Sequence, residues 1–127
     1  MSRIVKRVTI EGKSGHMLFD TGAFHSYVRR EYVEDIPKRI LSLAMPYRVG
    51  LGGETIEVKE VCIVMGEIEG LPFEMEAIPL DDLGRVNGNR LDAIMGSGTM
   101  EKWEMKLSPK TGELDLEGLR RREFIEY

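Results

Sequence analysis

The 127-residue chain contains one cysteine, two histidines, one tryptophan, two asparagines and no glutamine. A lone cysteine excludes an internal disulfide framework, and the apolar run "VCIVM" around Cys62 predicts a buried thiol. His16 and His25 have no cysteine or acid cluster at metal-ligand spacing, so no metal site is expected. No cofactor is expected either, because "GLGGE" lacks the Lys-Ser/Thr ending and following helix of a phosphate loop. Ser26 has no Gly-x-Ser-x-Gly frame, which argues against a serine nucleophile. No apolar run approaches the ~18 residues of a membrane span, and no charged-then-apolar leader opens the chain. A soluble, cytoplasmic protein without a membrane partner is the expectation. A net charge of −4 and a pI near 5.3 leave no electrostatic footprint for nucleic acid. The basic run Arg120-Arg121-Arg122, flanked by Glu117 and Glu123, reads as a solvated face. Scarce amides beside 31% charged residues suggest a thermophile composition.

At 42% hydrophobic, the chain can fill one core, and its length suits one domain, residues 1–127. Fourteen glycines punctuate short apolar segments. Residues 3–10 alternate apolar and charged side chains, turn at 11–15, and continue into an apolar stretch at 16–19, a hairpin. In "YVRREYVEDIPKRIL" the apolar residues Tyr27, Val28, Tyr32, Val33, Ile36 and Ile40 have helical spacing, which predicts a helix broken at Pro37. Strands at 47–49 and 55–58 bracket Gly50 to Gly53, and strands at 61–65 and 73–80 bracket "GEIEGLP". Residues 81–90 read as a loop, 91–96 as a short apolar strand, 100–105 as a helical turn anchored by Trp103, and the segment around 108–112 as a last pair of strands. The fold class is mostly β with one or two short helices.

The stretch "GHMLFDTGAFHSYV", residues 15–28, carries the chemistry. An acid at the inner end of an apolar strand costs free energy, because desolvation disfavours its charged form. Catalytic carboxylates occupy such positions. Gly22 lets a backbone or ligand come close to Asp20, and Thr21 supplies a bracing hydroxyl. Asp, Thr and Gly also make ordinary turns. A solvent turn, however, is not normally wrapped by Met17, Leu18 and Phe19 before it and Ala23 and Phe24 after it.

"LFDTGAFHSYV" resembles the active-site loop of retropepsin-like aspartic proteases. "RVGLGGETIEV" resembles their glycine-tipped flap hairpin, and "LDAIMGSGTMEKW" their later apolar-apolar-Gly strand and helix. The resemblance covers roughly residues 3–118 and is closest to the cellular domains, including those of ubiquitin-linked DNA-damage-inducible proteins. It implies a closed or partly open acid-protease β-barrel half that works as a two-fold homodimer. The acidic and basic residues that viral members place after Asp-Thr-Gly-Ala and after the later glycine are absent; Phe24, His25 and Ser97 stand there instead.

Aspartic proteolysis needs two carboxylates sharing one proton, one to activate water and one to donate to the scissile carbonyl. The chain has a single Asp-Thr-Gly. Asp35 falls in the charged predicted helix, and Asp92 opens a strand without Thr-Gly support. Asp20 is therefore expected to meet Asp20 of a second copy on a two-fold axis. The resemblance gives Thr21 a bond across that axis and lets Gly22 admit substrate backbone. It gives Gly50, Gly52 and Gly53 a hinging flap over an extended polypeptide substrate. Ala23, Val49, Leu51 and Ile94 are the candidate pocket residues. Two alternatives stand beside this aspartic endopeptidase: a peptide-binding or assembly module of the same fold that cuts slowly or not at all, and a plain β-barrel with a chance Asp-Thr-Gly. The tail 119–127, with Phe124, Ile125 and Tyr127, is a candidate for joining subunits.

Overall fold

The structure, a computed structural model, describes residues 3–108 and 110–126. The expected opening hairpin is present as β1 (Arg3–Ile10) and β2 (Lys13–Asp20), paired antiparallel from Arg3 opposite Asp20 to Ile10 opposite Lys13. A loop at 21–26 leads to β3 (Tyr27–Arg29). β4 (Ile40–Leu51) and β5 (Glu54–Ile68) form the long hairpin, and β6 (Leu71–Leu80) returns along β5. β7 (Arg85–Val86) and β8 (Asn89–Arg90) make a small hairpin within the segment expected as loop. β9 (Ala93–Gly96) runs into helix α1 (Ser97–Lys102); β10 (Lys106–Ser108) and β11 (Glu113–Asp115) pair, and α2 (Glu117–Arg121) follows.

The main sheet has the order β1-β2-β9-β3-β6-β5-β4, and β1 also pairs with β5 through Thr9–Glu67 and Ile10–Gly66. Six strands thus close into a barrel, and β4 stands outside on the free edge of β5. Strand β9 slots between β2, to which it is parallel, and β3, to which it is antiparallel. Two cores result. The larger gathers Ile10, Met17, Phe19, Val64, Phe73 and Trp103 inside the barrel. The smaller packs Leu18, Tyr27, Val58, Ile78 and Ile94 under the long hairpin, with Val49 and Leu51 partly buried against it.

The helix expected over residues 27–40 is absent. Tyr27, Val28 and Arg29 are buried in β3, paired to β9 on one side and β6 on the other. Two 3₁₀ turns, Arg30–Tyr32 and Pro37–Arg39, complete the segment. β-branched Val28 suits the extended backbone of β3, and Pro37 sits at the start of its turn, where no N–H is required. The two strands expected at 55–58 and 61–65 are one, because β5 changes partner along its length, from β4 to β6.

Cys62 is fully buried and its Sγ–H donates to the carbonyl of Ala77 at 3.4 Å. Burial, reinforced by Glu60, pushes the thiol up to about 12, so it stays protonated at neutral pH. A thiol reagent is expected to modify the native protein negligibly and the unfolded protein stoichiometrically, which absorbance titration checks. The tail contributes no strand among the described residues: Phe124 tilts over Trp103 at 5.8 Å, Ile125 is 82% exposed, and Tyr127 lies outside the described residues.

Candidate active site

Asp20 ends β2 at a point fixed from both sides, opposite Arg3 on β1 and Gly96 on β9. Its side chain is 17% exposed, and Arg3 Nε lies 3.9 Å from Oδ2, an ion pair beyond hydrogen-bond reach. The loop then turns under it: the Gly22 N–H donates to Oδ1 at 2.9 Å and the Ala23 N–H to the Asp20 carbonyl at 3.2 Å. An Asx-type turn thus orients the carboxylate from its own chain.

The loop wraps the end of β9. The Ser97 N–H donates to the carbonyl of Ala23 at 2.6 Å and the Gly98 N–H to that of Phe24 at 3.1 Å. The Gly96 N–H donates to Ser26 Oγ at 3.0 Å, and that hydroxyl shares a 2.7 Å bond with Thr99 Oγ1. A Cβ on Gly96 would stand 2.3 Å from the carbonyl oxygen of His25 and 2.5 Å from that of Phe24. Glycine is the one residue the loop can close around.

Above the loop lies a cleft of about 390 Å³, walled by Asp20, Gly22, Ala23, Tyr27, Val49 and Leu51 and roofed by the tip of the β4–β5 hairpin. Gly52 and Gly53 form that tip with φ of +59° and +83°, the two left-handed positions a two-residue hairpin turn demands. Gly50, which also lines the cleft, has neither a positive φ nor any atom within 4 Å of a Cβ.

Most of the expected site residues therefore meet: Asp20, Gly22, Ala23, Val49, Gly50, Leu51 and Gly52 line one cleft. Thr21 is exposed beside it, and Gly53 lies at the tip outside the lining. Ile94 does not reach the cleft surface. It packs in the small core beside its strand partner Tyr27, which does line the cleft. Tyr27 and Arg48 also line the cleft; their only sequence signal was adjacency to the loop and to the glycine tip. His25 stacks against Tyr47 of β4, ring centroids 5.7 Å apart, and so joins the loop to the base of the hairpin.

Among the described residues no second carboxylate lines the cleft. Asp92, the other acid beside an apolar strand, bonds to the backbone N–H of His16 at 2.8 Å, four residues back along β2 from Asp20. At ~3.3 Å per strand residue the two acids are about 13 Å apart. Asp92 lacks Thr-Gly support, as the sequence shows, but has support of another kind. Arg29 grips it through Nε, at 3.1 Å, and through Nη2. The Arg29 N–H donates to its carbonyl at 2.9 Å, and its own N–H donates to the carbonyl of His16. This buried pair ties β2, β3 and the start of β9 together. Burial alone would raise the Asp92 carboxyl, but bonds from Arg29, His16 and Tyr32 outweigh it and hold the group below its ordinary 3.8. A depressed carboxyl stabilises the fold above its unfolded value and loses that stabilisation as pH falls through the folded one. The clamp therefore stays intact at moderately acidic pH and weakens only below the usual carboxylate range. Asp92→Ala, which leaves Arg29 buried without its main partner, should cost about 3 kcal/mol in urea denaturation at pH 6. The deficit should shrink as the pH is taken below 4.

A closed barrel whose Asp-Thr-Gly loop lies under a glycine-tipped hairpin is the retropepsin-like fold. The chain belongs to the retroviral aspartyl protease family, whose sequence profile matches residues 2–111. Among solved structures it resembles the retroviral protease-like domain of Ddi1 from Leishmania major, with TM-score 0.61 and 14% identity over 94% of this chain and 88% of that one. The Simian Foamy Virus (mac) protease aligns with TM-score 0.52 and 12% identity, covering 82% of this chain and 99% of that one. The EIAV protease, solved with the inhibitor HBY-793, aligns with TM-score 0.52 and 20% identity, covering 84% and 93%. No curated protein matches the chain in sequence. No helix among the described residues is long and apolar enough to cross a membrane.

Proposed function

We propose that the chain, read as a single retropepsin-like domain over residues 1–127, is a homodimeric aspartic endopeptidase. The observation that carries this reading is a cleft that holds one oriented carboxylate, Asp20, and among the described residues no other acid. The dyad is then completed by Asp20 of a second copy. One carboxylate takes a proton from the attacking water; the protonated one donates to the scissile carbonyl oxygen. Thr21 bonds across the two-fold axis to the partner's loop, and Gly22 leaves room for substrate backbone. Gly50, Gly52 and Gly53 let the flap close over an extended, unfolded polypeptide. Ala23, Val49 and Leu51 meet its side chains, while Ile94 props Tyr27 from within the small core.

The reaction needs no cofactor or metal. The reading places it in the cytoplasm acting on polypeptide, without a membrane partner, and the net acidic charge disfavours nucleic acid as a partner. Digestion of denatured casein at pH 4–6 tests the reading. The wild type should release peptides at a rate that falls on dilution, as dimers dissociate. A protein that binds casein but releases no peptides under any of these conditions is instead a binding module of the same fold.

A further inference from the structure

A second cavity of about 390 Å³ lies beside the cleft and contains none of Asp20, Thr21, Gly22 or the flap tip. The two cavities share two walls, Phe24 and His25. Phe24 is 66% exposed, its ring meets His25 edge-on at 5.3 Å, and His25 meets Tyr47. An aromatic ledge thus runs from the flap base, across the rim of the cleft, into the second cavity. Ile63 of β5 and the exposed Phe24 ring supply apolar lining there. The rim is charged. Glu74 is engaged by Lys102 at 3.4 Å, whereas Glu76 has no ion pair among the described residues.

We propose that this second cavity is a docking site for the part of the polypeptide substrate that extends beyond the cleft, taking an apolar side chain next to a lysine or arginine. The occupant follows from continuity and charge. A strand leaving the cleft past Phe24 and His25 enters this cavity directly, its apolar side chain settles against Phe24 and Ile63, and its cation answers Glu76, which has no ion pair among the described residues. The inference rests on the peptidase reading for its substrate, and in a two-fold dimer each protomer would present one such site.

Two assays separate the inference from the reading beneath it. Cleavage of a short fluorogenic peptide by the wild type tests the peptidase reading. Binding of labelled peptides to Asp20→Asn protein, followed by fluorescence anisotropy, tests the docking site whether or not cleavage occurs. The peptides are a core sequence and the same core extended by about five residues carrying Leu-Lys or Leu-Glu at either end. The Leu-Lys extension should tighten binding about tenfold over the core and exceed Leu-Glu by about threefold. Adding Glu76→Lys should reverse the Lys-over-Glu preference, and adding Ile63→Glu should remove the gain from leucine. Binding of the core peptide should stay unchanged in both, with melting curves confirming the fold. The inference is overturned if extended and core peptides bind alike, or if Glu76→Lys leaves the charge preference as it was. Failure of the wild type to cut any peptide, with extended peptides still preferred, would remove the peptidase reading and leave the docking site standing.

Discussion

Asp20→Asn is expected to lower peptide-bond cleavage by at least about a thousandfold while leaving the fold intact. The size of the loss follows from the chemistry: an amide can neither take the water's proton nor give one to the carbonyl oxygen, and proton transfer of this kind is worth about 10²–10⁴-fold for one group. Two groups change at once in a dimer. The fold should survive because the asparagine oxygen can still accept the Gly22 N–H that Asp20 Oδ1 accepts at 2.9 Å. The Arg3 contact, at 3.9 Å with Arg3 half exposed, carries little stability. Cleavage assays at pH 3–7 beside thermal melts read both halves of the expectation. Equal activity of wild type and variant across that range would contradict a catalytic role for Asp20.

Gly96→Ala should be the most damaging single methyl group in the chain's active half. Its Cβ would meet three backbone oxygens, those of Ala23, Phe24 and His25, at 2.3–2.8 Å. Backbone oxygens cannot swing aside as a side-chain tip can. Relief requires the loop after Asp20 to move, breaking the bonds from Ser97 and Gly98 that hold it. The expected cost is about 3 kcal/mol or more, a fall in Tm of roughly 10 °C. Gly50→Ala is the matched control: open space surrounds its Cβ, so stability should change by no more than about 0.5 kcal/mol. If the two variants melt together, β9 is not threaded through the loop as described.

Where alternation and turn chemistry decide structure locally, the sequence was readable. The β1–β2 hairpin, the Gly52–Gly53 tip and the apolar strand ending at Gly96 are examples. That the Asp20 loop lies under the glycine tip was implied by the family resemblance and not by alternation or turn chemistry. Residues 27–40 were misread because their fate depends on distant partners. Tyr27 and Val28 pair with β9 and β6, some fifty or more residues away in sequence, and those pairings override a helical spacing of apolar residues. The clamp on Asp92 was not legible for a like reason: its main partner, Arg29, is 63 positions earlier. Ile94 was a candidate pocket residue, but in β9 it packs in the small core and is not among the residues lining the cleft, whereas Tyr27 is.

The account depends on two copies each contributing half of one reacting centre, and subunit mixing tests this most directly. Wild type is equilibrated with Asp20→Asn protein at fixed total concentration, and activity is followed against the wild-type fraction. A centre built from two chains predicts activity falling as the square of that fraction, so an equal mixture retains about a quarter. Activity proportional to the wild-type fraction, about half in the equal mixture, would mean that each chain works alone and would contradict the shared centre.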